Sequence, residues 1–269
     1  MKALFIGDIV GKRARSLAYE KIKMFKENNL VDLVIVNVEN SAGGFGVTKE
    51  ICESFFDSGA DILTTGNHVW DKKEIIPFLN ESKRVLRPLN MVEGSPGIGL
   101  TIVETVHGLV GVANLITNLF MMSSNPVFDY LAIIKKKISL NKNLVFSIVD
   151  IHGEATSEKL ALGFSLDGYV SAVVGTHTHI PTADHRILDN GTAYITDVGM
   201  SGDYNSVIGM EKTTAIEKFT KLNKKTSRLE VSMGDPTLCG VLIETYKNGL
   251  AKSIKPVRIG GVLDNIDLD

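Results

Sequence analysis

Apolar and polar positions alternate between two periods through the first third of the chain. Lys2 to Ile6 is a short apolar run that reads as a buried strand. Arg13 to Asn28 carries Leu17, Ala18, Ile22, Met24 and Phe25, an imperfect but helix-like spacing. Leu33 to Val38 is continuously apolar, as a strand covered on both faces requires. Thr48 to Asp57 predicts a helix stopped by Ser58-Gly59, Asp61 to Thr65 a third strand, and Lys72 to Leu79 a further helix. Such a β-α-β-α-β start implies parallel strands joined by right-handed crossovers.

After Val85 the pattern loosens, with Gly94, Pro96, Gly97 and Gly99 marking loops. Leu100 to Glu104 and Leu109 to Ala113 predict a hairpin around His107-Gly108, and Val127 to Ile138 an amphipathic helix. Leu144 to Asp150 and Val170 to Val174 read as buried strands flanking a helix at Ser157 to Leu166. Asp189-Asn190-Gly191 between two apolar runs, His185 to Leu188 and Thr192 to Thr196, is a hairpin signal. Arg228 to Met233, Leu238 to Glu244 and Ser253 to Arg258 continue the β pattern, with Lys247-Asn248-Gly249 as a turn and one helix near Glu211 to Leu222. Parallel units first and antiparallel strands later predict an α/β fold: two sheets face to face, helices outside, in one domain over residues 1–269.

The polar residues that end these runs change the picture. They form packets: Gly7-Asp8, Glu39-Asn40, Gly66-Asn67-His68, Ile151 to Glu154, and Gly175 to His179. Side chains ending successive parallel strands gather at one sheet edge, where open α/β folds bind ligands. A carboxylate such as Glu39 at the end of an apolar run needs a metal or a cation partner, and no Lys or Arg lies between Leu30 and Lys49. Asp8 is also compatible with a helix cap. Asn40 and Asn67 offer neutral amide oxygens. His177 and His179, at i and i+2, point to one side if the backbone is extended. His68 sits beside Asn67 and is placed as a general acid off the metals. Four of the chain's six histidines fall in these packets. His107 and His185 read as structural. Asp150 and Asp197 are both candidates to orient a metal-bound imidazole.

Mixed carboxylate, amide and imidazole ligands suit two divalent or trivalent transition-metal ions. The expected chemistry is phosphoester hydrolysis: two ions share Glu39 and a hydroxide, which attacks phosphorus while His68 protonates the departing oxygen. A phosphomonoesterase, a ribonuclease, and a regulatory protein that senses a nucleotide without cleaving it remain open alternatives.

Composition narrows the partners. The 269 residues are 44% hydrophobic and 22% charged, with a net charge of -2, so no global field draws the chain to nucleic acid or anionic membrane. The basic spots Lys135-Lys136-Lys137 and Lys221 with Lys224-Lys225 read as solvated helix faces. Two distant cysteines, Cys52 and Cys239, are no disulfide framework and read as small core residues. The apolar N-terminal stretch is interrupted by Asp8 and followed by no small-residue cleavage pattern, and no run is long enough to span a bilayer. The expected location is the cytoplasm.

Gly7-Asp8-x-x-Gly11, Gly66-Asn67-His68 and Gly175-Thr176-His177-Thr178-His179 resemble the calcineurin-like metallophosphoesterase superfamily. The usual second packet is replaced here by Asn37-Val38-Glu39-Asn40. That departure, with the run Ile151 to Lys159 and Val198-Gly199-Met200-Ser201-Gly202, is similar to the YmdB-like branch of bacterial phosphodiesterases. The resemblance spans most of residues 1 to 205. It implies a four-layer α-β-β-α sandwich and a dinuclear iron or manganese centre. In it Asp8, Glu39, Asn40 and His179 would hold one ion, and Glu39, Asn67, His152 and His177 the other, with His68 as proton donor. It implies hydrolysis of 2',3'- and 3',5'-cyclic nucleotides, a small-molecule phosphodiester substrate, and a homo-oligomer (dimer or tetramer).

Overall fold

The structure, a computed structural model, describes residues 1–121, 124–141, 143–220 and 229–268. Its first sheet begins with three parallel strands, β1 (Lys2–Ile6), β2 (Leu33–Asn37) and β3 (Ile62–Thr64), followed by the short β4 (Val85–Leu86). The second is built from β5 (Leu100–Thr105), β6 (Gly108–Ile116), β7 (Leu144–His152), β8 (Ala172–Thr176), β9 (Arg186–Ile187) and β10 (Ala193–Ile195). There β6, β7, β8 and β10 run parallel, with β5 and β9 antiparallel at the edges.

The last strands depart from a simple reading of the chain order. β11 (Leu238–Thr245) and β12 (Ala251–Ile259) do not add to the neighbouring sheet. They return to the first one, β11 antiparallel to β1 and β12 antiparallel to β11. Both sheets therefore have six strands and both are mixed, in the orders β12-β11-β1-β2-β3-β4 and β5-β6-β7-β8-β10-β9.

Side-chain alternation explains the layering, since successive strand residues face opposite sides. Ala3 and Phe5 of β1, and Leu33 and Ile35 of β2, pack with Phe146, Ile148, Val174 and Ile195 between the sheets. Their neighbours Leu4, Ile6, Val34 and Val36 face helices α1 (Gly11–Glu27) and α2 (Lys49–Ser58) through Ala14, Ala18, Ile22, Phe25 and Phe55. On the other outer face, α4 (Leu131–Ser139) and α5 (Thr156–Leu166) cover Val149, Ile151 and Val173 with Leu131, Ile134, Leu162 and Leu166. The result is an α-β-β-α sandwich of two mixed sheets. Full burial of side chains such as Phe5 or Ile35 contributes about 1.5–3 kcal/mol each.

Local chemistry accounts for the element ends. The Thr48 hydroxyl accepts from the Ile51 N–H at the start of α2, and Gly59, at φ 107°, ends it. The helix expected at Lys72 to Leu79 is a 3-10 turn, Lys73–Ile75, followed by α3 (Ile76–Glu81). Pro77 is the reason: lacking an N–H, it is tolerated only in a first turn, so the helix restarts there. A 3-10 turn, Val127–Tyr130, likewise leads into α4.

The strand expected at 228–233 is not found. Among described residues there, Val231 makes only an isolated bridge to Met210, and Arg228 lies outside the described residues. α6 is Lys212–Thr220; Lys221, Leu222, Lys224 and Lys225 also lie outside the described residues. Cys52 and Cys239 are buried, as expected of core residues. Among the described residues, no helix is long and apolar enough to cross a membrane.

Candidate metal centre

All eight residues singled out in the sequence converge at the C-terminal ends of parallel strands. Asp8 follows β1, Glu39 and Asn40 follow β2, and Asn67 and His68 follow β3. His152 ends β7, while His177 and His179 follow β8. The first sheet thus supplies the carboxylates and amides, and the second the three histidines that face them. Gly7 and Gly66 are required by close approach. A Cβ on Gly66 would meet the Glu39 carboxylate and the His152 imidazole, and one on Gly7 the Gly199 carbonyl oxygen.

One half of the cluster surrounds His152, which is fully buried. Its Nε2 lies 3.0 Å from Glu39 Oε1, 3.0 Å from Asn67 Oδ1 and 3.1 Å from His177 Nδ1. The ring's proton position can be traced through its partners. Asp150 accepts from the Thr176 hydroxyl at 2.7 Å, so the Thr176 oxygen is left to accept from His152 Nδ1 at 3.0 Å. In the neutral ring His152 Nε2 then carries a lone pair that points at other electron-rich atoms.

The other half repeats the pattern. His179 Nδ1 lies 2.8 Å from the Ile208 carbonyl oxygen and donates to it, which leaves Nε2 as a lone pair 3.3 Å from Asn40 Oδ1. Asn40 Nδ2 donates to Gly44 O at 2.8 Å, so the amide oxygen is the atom turned inward. Asp8 joins the halves. One of its oxygens accepts the His177 backbone N–H at 3.1 Å, and the other, Oδ1, is buried with no hydrogen-bond partner.

Acceptors facing acceptors around an orphaned buried carboxylate are costly unless a cation lies among them. The residues fit metal ions on that ground, and Glu39, His152 and His177 present ligand atoms all within 4.8 Å of one another. The electrostatics show the same demand for positive charge. Burial opposes charge on His152, yet Glu39, Asp8 and Asp150 outweigh it and push the imidazole up to about 9. Burial works to raise Glu39, but His152, His68 and His177 hold it down at about 2. Burial and the nearby His152 charge push His177 down to about 3. Burial raises Asp8 above the usual carboxylate range despite His179 and His152.

His68 stands at the rim. Its backbone N–H donates to Glu39 Oε2 at 3.2 Å, and its Nδ1 lies 2.7 Å from Asp71 Oδ2. Phe45 meets its ring edge-on, with centroids 5.0 Å apart.

The structure corrects two expectations. The His177-Thr178-His179 segment is not extended: His177 has φ 98° and His179 φ 67°. The two imidazoles reach different halves of the cluster because the backbone coils, not because i and i+2 share a strand face. Neither Asp150 nor Asp197 bonds an imidazole directly. Asp150 acts on His152 through Thr176 and also accepts from Thr64 and Asn37; burial pushes it up to about 7. Asp197 bonds Lys159 and Thr178.

The groups that do orient the imidazoles, Thr176, the Ile208 carbonyl, and Asp71 for His68, were missed in the sequence. Only Asp71 sits near its histidine in the chain; Thr176 is 24 residues from His152 and Ile208 is 29 from His179. His107 lies at the surface 3.5 Å from Asp32, and His185 is exposed, both away from the cluster.

A family model described as YmdB-like protein matches residues 4–257. The 2',3'-cyclic-nucleotide 2'-phosphodiesterase of Bacillus subtilis is 43% identical over 99% of this chain and 98% of its own. The crystal structure of a novel phosphatase from Mycoplasma pneumoniae superposes with a TM-score of 0.87 at 33% identity, covering 97% of this chain and 93% of that one. A putative 5'-nucleotidase from Staphylococcus aureus, 14% identical, shares the fold alone, with a TM-score of 0.55 over 99% of this chain and 55% of that one. The match along nearly the whole chain, in sequence and in fold, establishes that this chain belongs to the YmdB-like family, on the metallophosphoesterase fold.

Proposed function

We propose that this chain hydrolyses the phosphodiester bond of cyclic nucleotides, of both the 2',3' and the 3',5' kind, at a centre holding two metal ions. That it is a hydrolase of phosphoesters follows from its family and its phosphodiesterase and phosphatase relatives. The observation that carries the metal reading is the convergence of lone pairs on His152 Nε2 and the orphaned Asp8 Oδ1. Asp8, Glu39, Asn40 and His179 would hold one ion, and Glu39, Asn67, His152 and His177 the other. Iron or manganese is the expected metal. When bound, the ions supply Lewis-acid polarisation of the phosphoryl oxygens and a nucleophilic water at neutral pH.

The chain's own residues do the rest. Glu39 is buried, with Oε1 3.0 Å from His152 Nε2 and Oε2 accepting the His68 N–H, and it would be shared by the two ions. The Asp71 carboxylate holds His68 by Nδ1, which presents Nε2 to the substrate. In the reaction a water oxygen bonds to phosphorus, the ester P–O bond breaks, and the departing ribose oxygen takes the His68 proton. The enzyme acts as one domain in the cytoplasm, as a homo-oligomer, and without a stable nucleic-acid complex.

A relative described as a phosphatase supports a second reading, a phosphomonoesterase at the same centre. Elemental analysis, with turnover of 2',3'-cyclic AMP, 3',5'-cyclic AMP and p-nitrophenyl phosphate on one sample, tests both. About two ions per chain and metal-dependent cleavage of cyclic nucleotides are expected. Preference for the monoester would favour the second reading. No metal uptake after reconstitution with iron and manganese would overturn both.

A further inference from the structure

Helix α5 brings an unusual side chain to the back of the cluster. Lys159 is 1% exposed, and its Nζ donates to Asp197 Oδ2 at 2.9 Å and to the Thr176 carbonyl oxygen at 2.7 Å. Asp197 is fully buried. The same Oδ2 accepts the Thr178 hydroxyl at 2.8 Å and the Thr178 N–H at 3.1 Å, while Oδ1 accepts the Gly199 N–H at 2.9 Å. One carboxylate thus ties down the residue between His177 and His179, and its lysine partner ties down the end of β8 just before them.

A buried ion pair is a poor source of net stability, because desolvation offsets the attraction and an apolar pair of similar volume often does as well. Its place in the fold points to geometry instead. His177 and His179 both have positive φ, which histidine adopts at some cost, so the segment needs an outside restraint to hold both rings. Thr178 is the restrained residue. To one side of it His177 meets His152, and to the other His179 faces Asn40.

We infer that Lys159 and Asp197 form a positioning unit that sets the separation of the two half-sites through Thr178, so that the two ions are bound, and lost, together. The inference rests on the two-metal reading above. It assigns a task to two buried charges that touch neither substrate nor ion.

The test uses the full chain, stripped with a chelator and titrated with Mn²⁺ by calorimetry and by electron paramagnetic resonance. Thr178→Val keeps the ion pair and the side-chain volume but removes the hydroxyl held by Asp197. Its metal-free melting temperature should stay close to wild type. Its Mn²⁺ affinity should fall about 10–100-fold at both half-sites, the usual cost of removing an outer partner of metal ligands, and the exchange-coupled dinuclear signal should disappear. The double variant Lys159→Met/Asp197→Asn, neutral throughout, should behave alike; if it does not fold, Thr178→Val carries the test alone.

Wild-type affinity and coupling in Thr178→Val would overturn the inference, as would weakening of one half-site with the other intact. Wild-type protein that takes up neither Mn²⁺ nor, on reconstitution, iron would remove the metal reading itself, and this inference with it, which is a different result from a variant that binds like wild type.

Discussion

His152 Nε2 and Glu39 Oε1 lie 3.0 Å apart, and both side chains are cut off from solvent. One comes from the second sheet and the other from the first, so the pair forms only when the sandwich closes. In metal-free protein a proton on His152 takes the part of the missing cation, and this has a measurable consequence for stability.

The His152 imidazole is raised in the folded state to about 9, above its ordinary 6.5. A group raised on folding contributes stability that is fully present below the unfolded value and is lost as pH climbs through the folded one. Asp150 is raised on folding too, to about 7, so it acts in the same direction but over a lower pH range, between its ordinary 3.8 and about 7. Between pH 7 and 9, chelator-treated protein should therefore lose thermal stability. Melting curves across that window check it, and a slope unchanged in His152→Asn would sink the assignment.

Replacing His68 by alanine should leave metal uptake intact and lower turnover of cyclic nucleotides by about 10²–10⁴-fold, the range of a positioned general acid. Wild-type turnover in that variant would remove His68 from the reaction. The effect should shrink for substrates with a good leaving group such as nitrophenolate, which departs without a proton.

Asp71 holds His68 Nδ1 at 2.7 Å. Asp71→Asn should slow the reaction about tenfold or more by loosening the ring that delivers the proton. Wild-type turnover of cyclic nucleotides in that variant would show that the carboxylate does not position His68.

Ile208 has φ 46° and Gly209 φ 95°, between Val207 and Met210, which exchange two backbone hydrogen bonds. A turn with positive φ at both central positions favours Asn or Gly, not a β-branched residue. Ile208→Asn should stabilise the fold by about 1 kcal/mol while keeping the carbonyl that holds His179. A chemical denaturation midpoint lower than wild type would show that the isoleucine side chain supplies more than the strain removes.

Much of the site was legible because its residue types are expensive where they stand. Glu39 after an apolar strand and His152 within one have few fates besides ions, and the short packets mark strand ends. The conformation of His177-Thr178-His179 was not legible, since an i, i+2 pair looks the same in a strand and in a coiled loop. Nor was the roster of orienting groups: the Ile208 carbonyl is backbone, and backbone has no signature.

The chain by itself determined the alternation of strand and helix, the two-faced burial of β1 and β2, and the ligand chemistry, because period and residue type are local properties. Tertiary structure alone decided that β11 and β12 return to β1, that Asp197 serves Lys159 and Thr178 and bonds no imidazole, and which half of the cluster each histidine faces. Those outcomes depend on contacts between residues far apart in the chain, and they exist only once both sheets have packed.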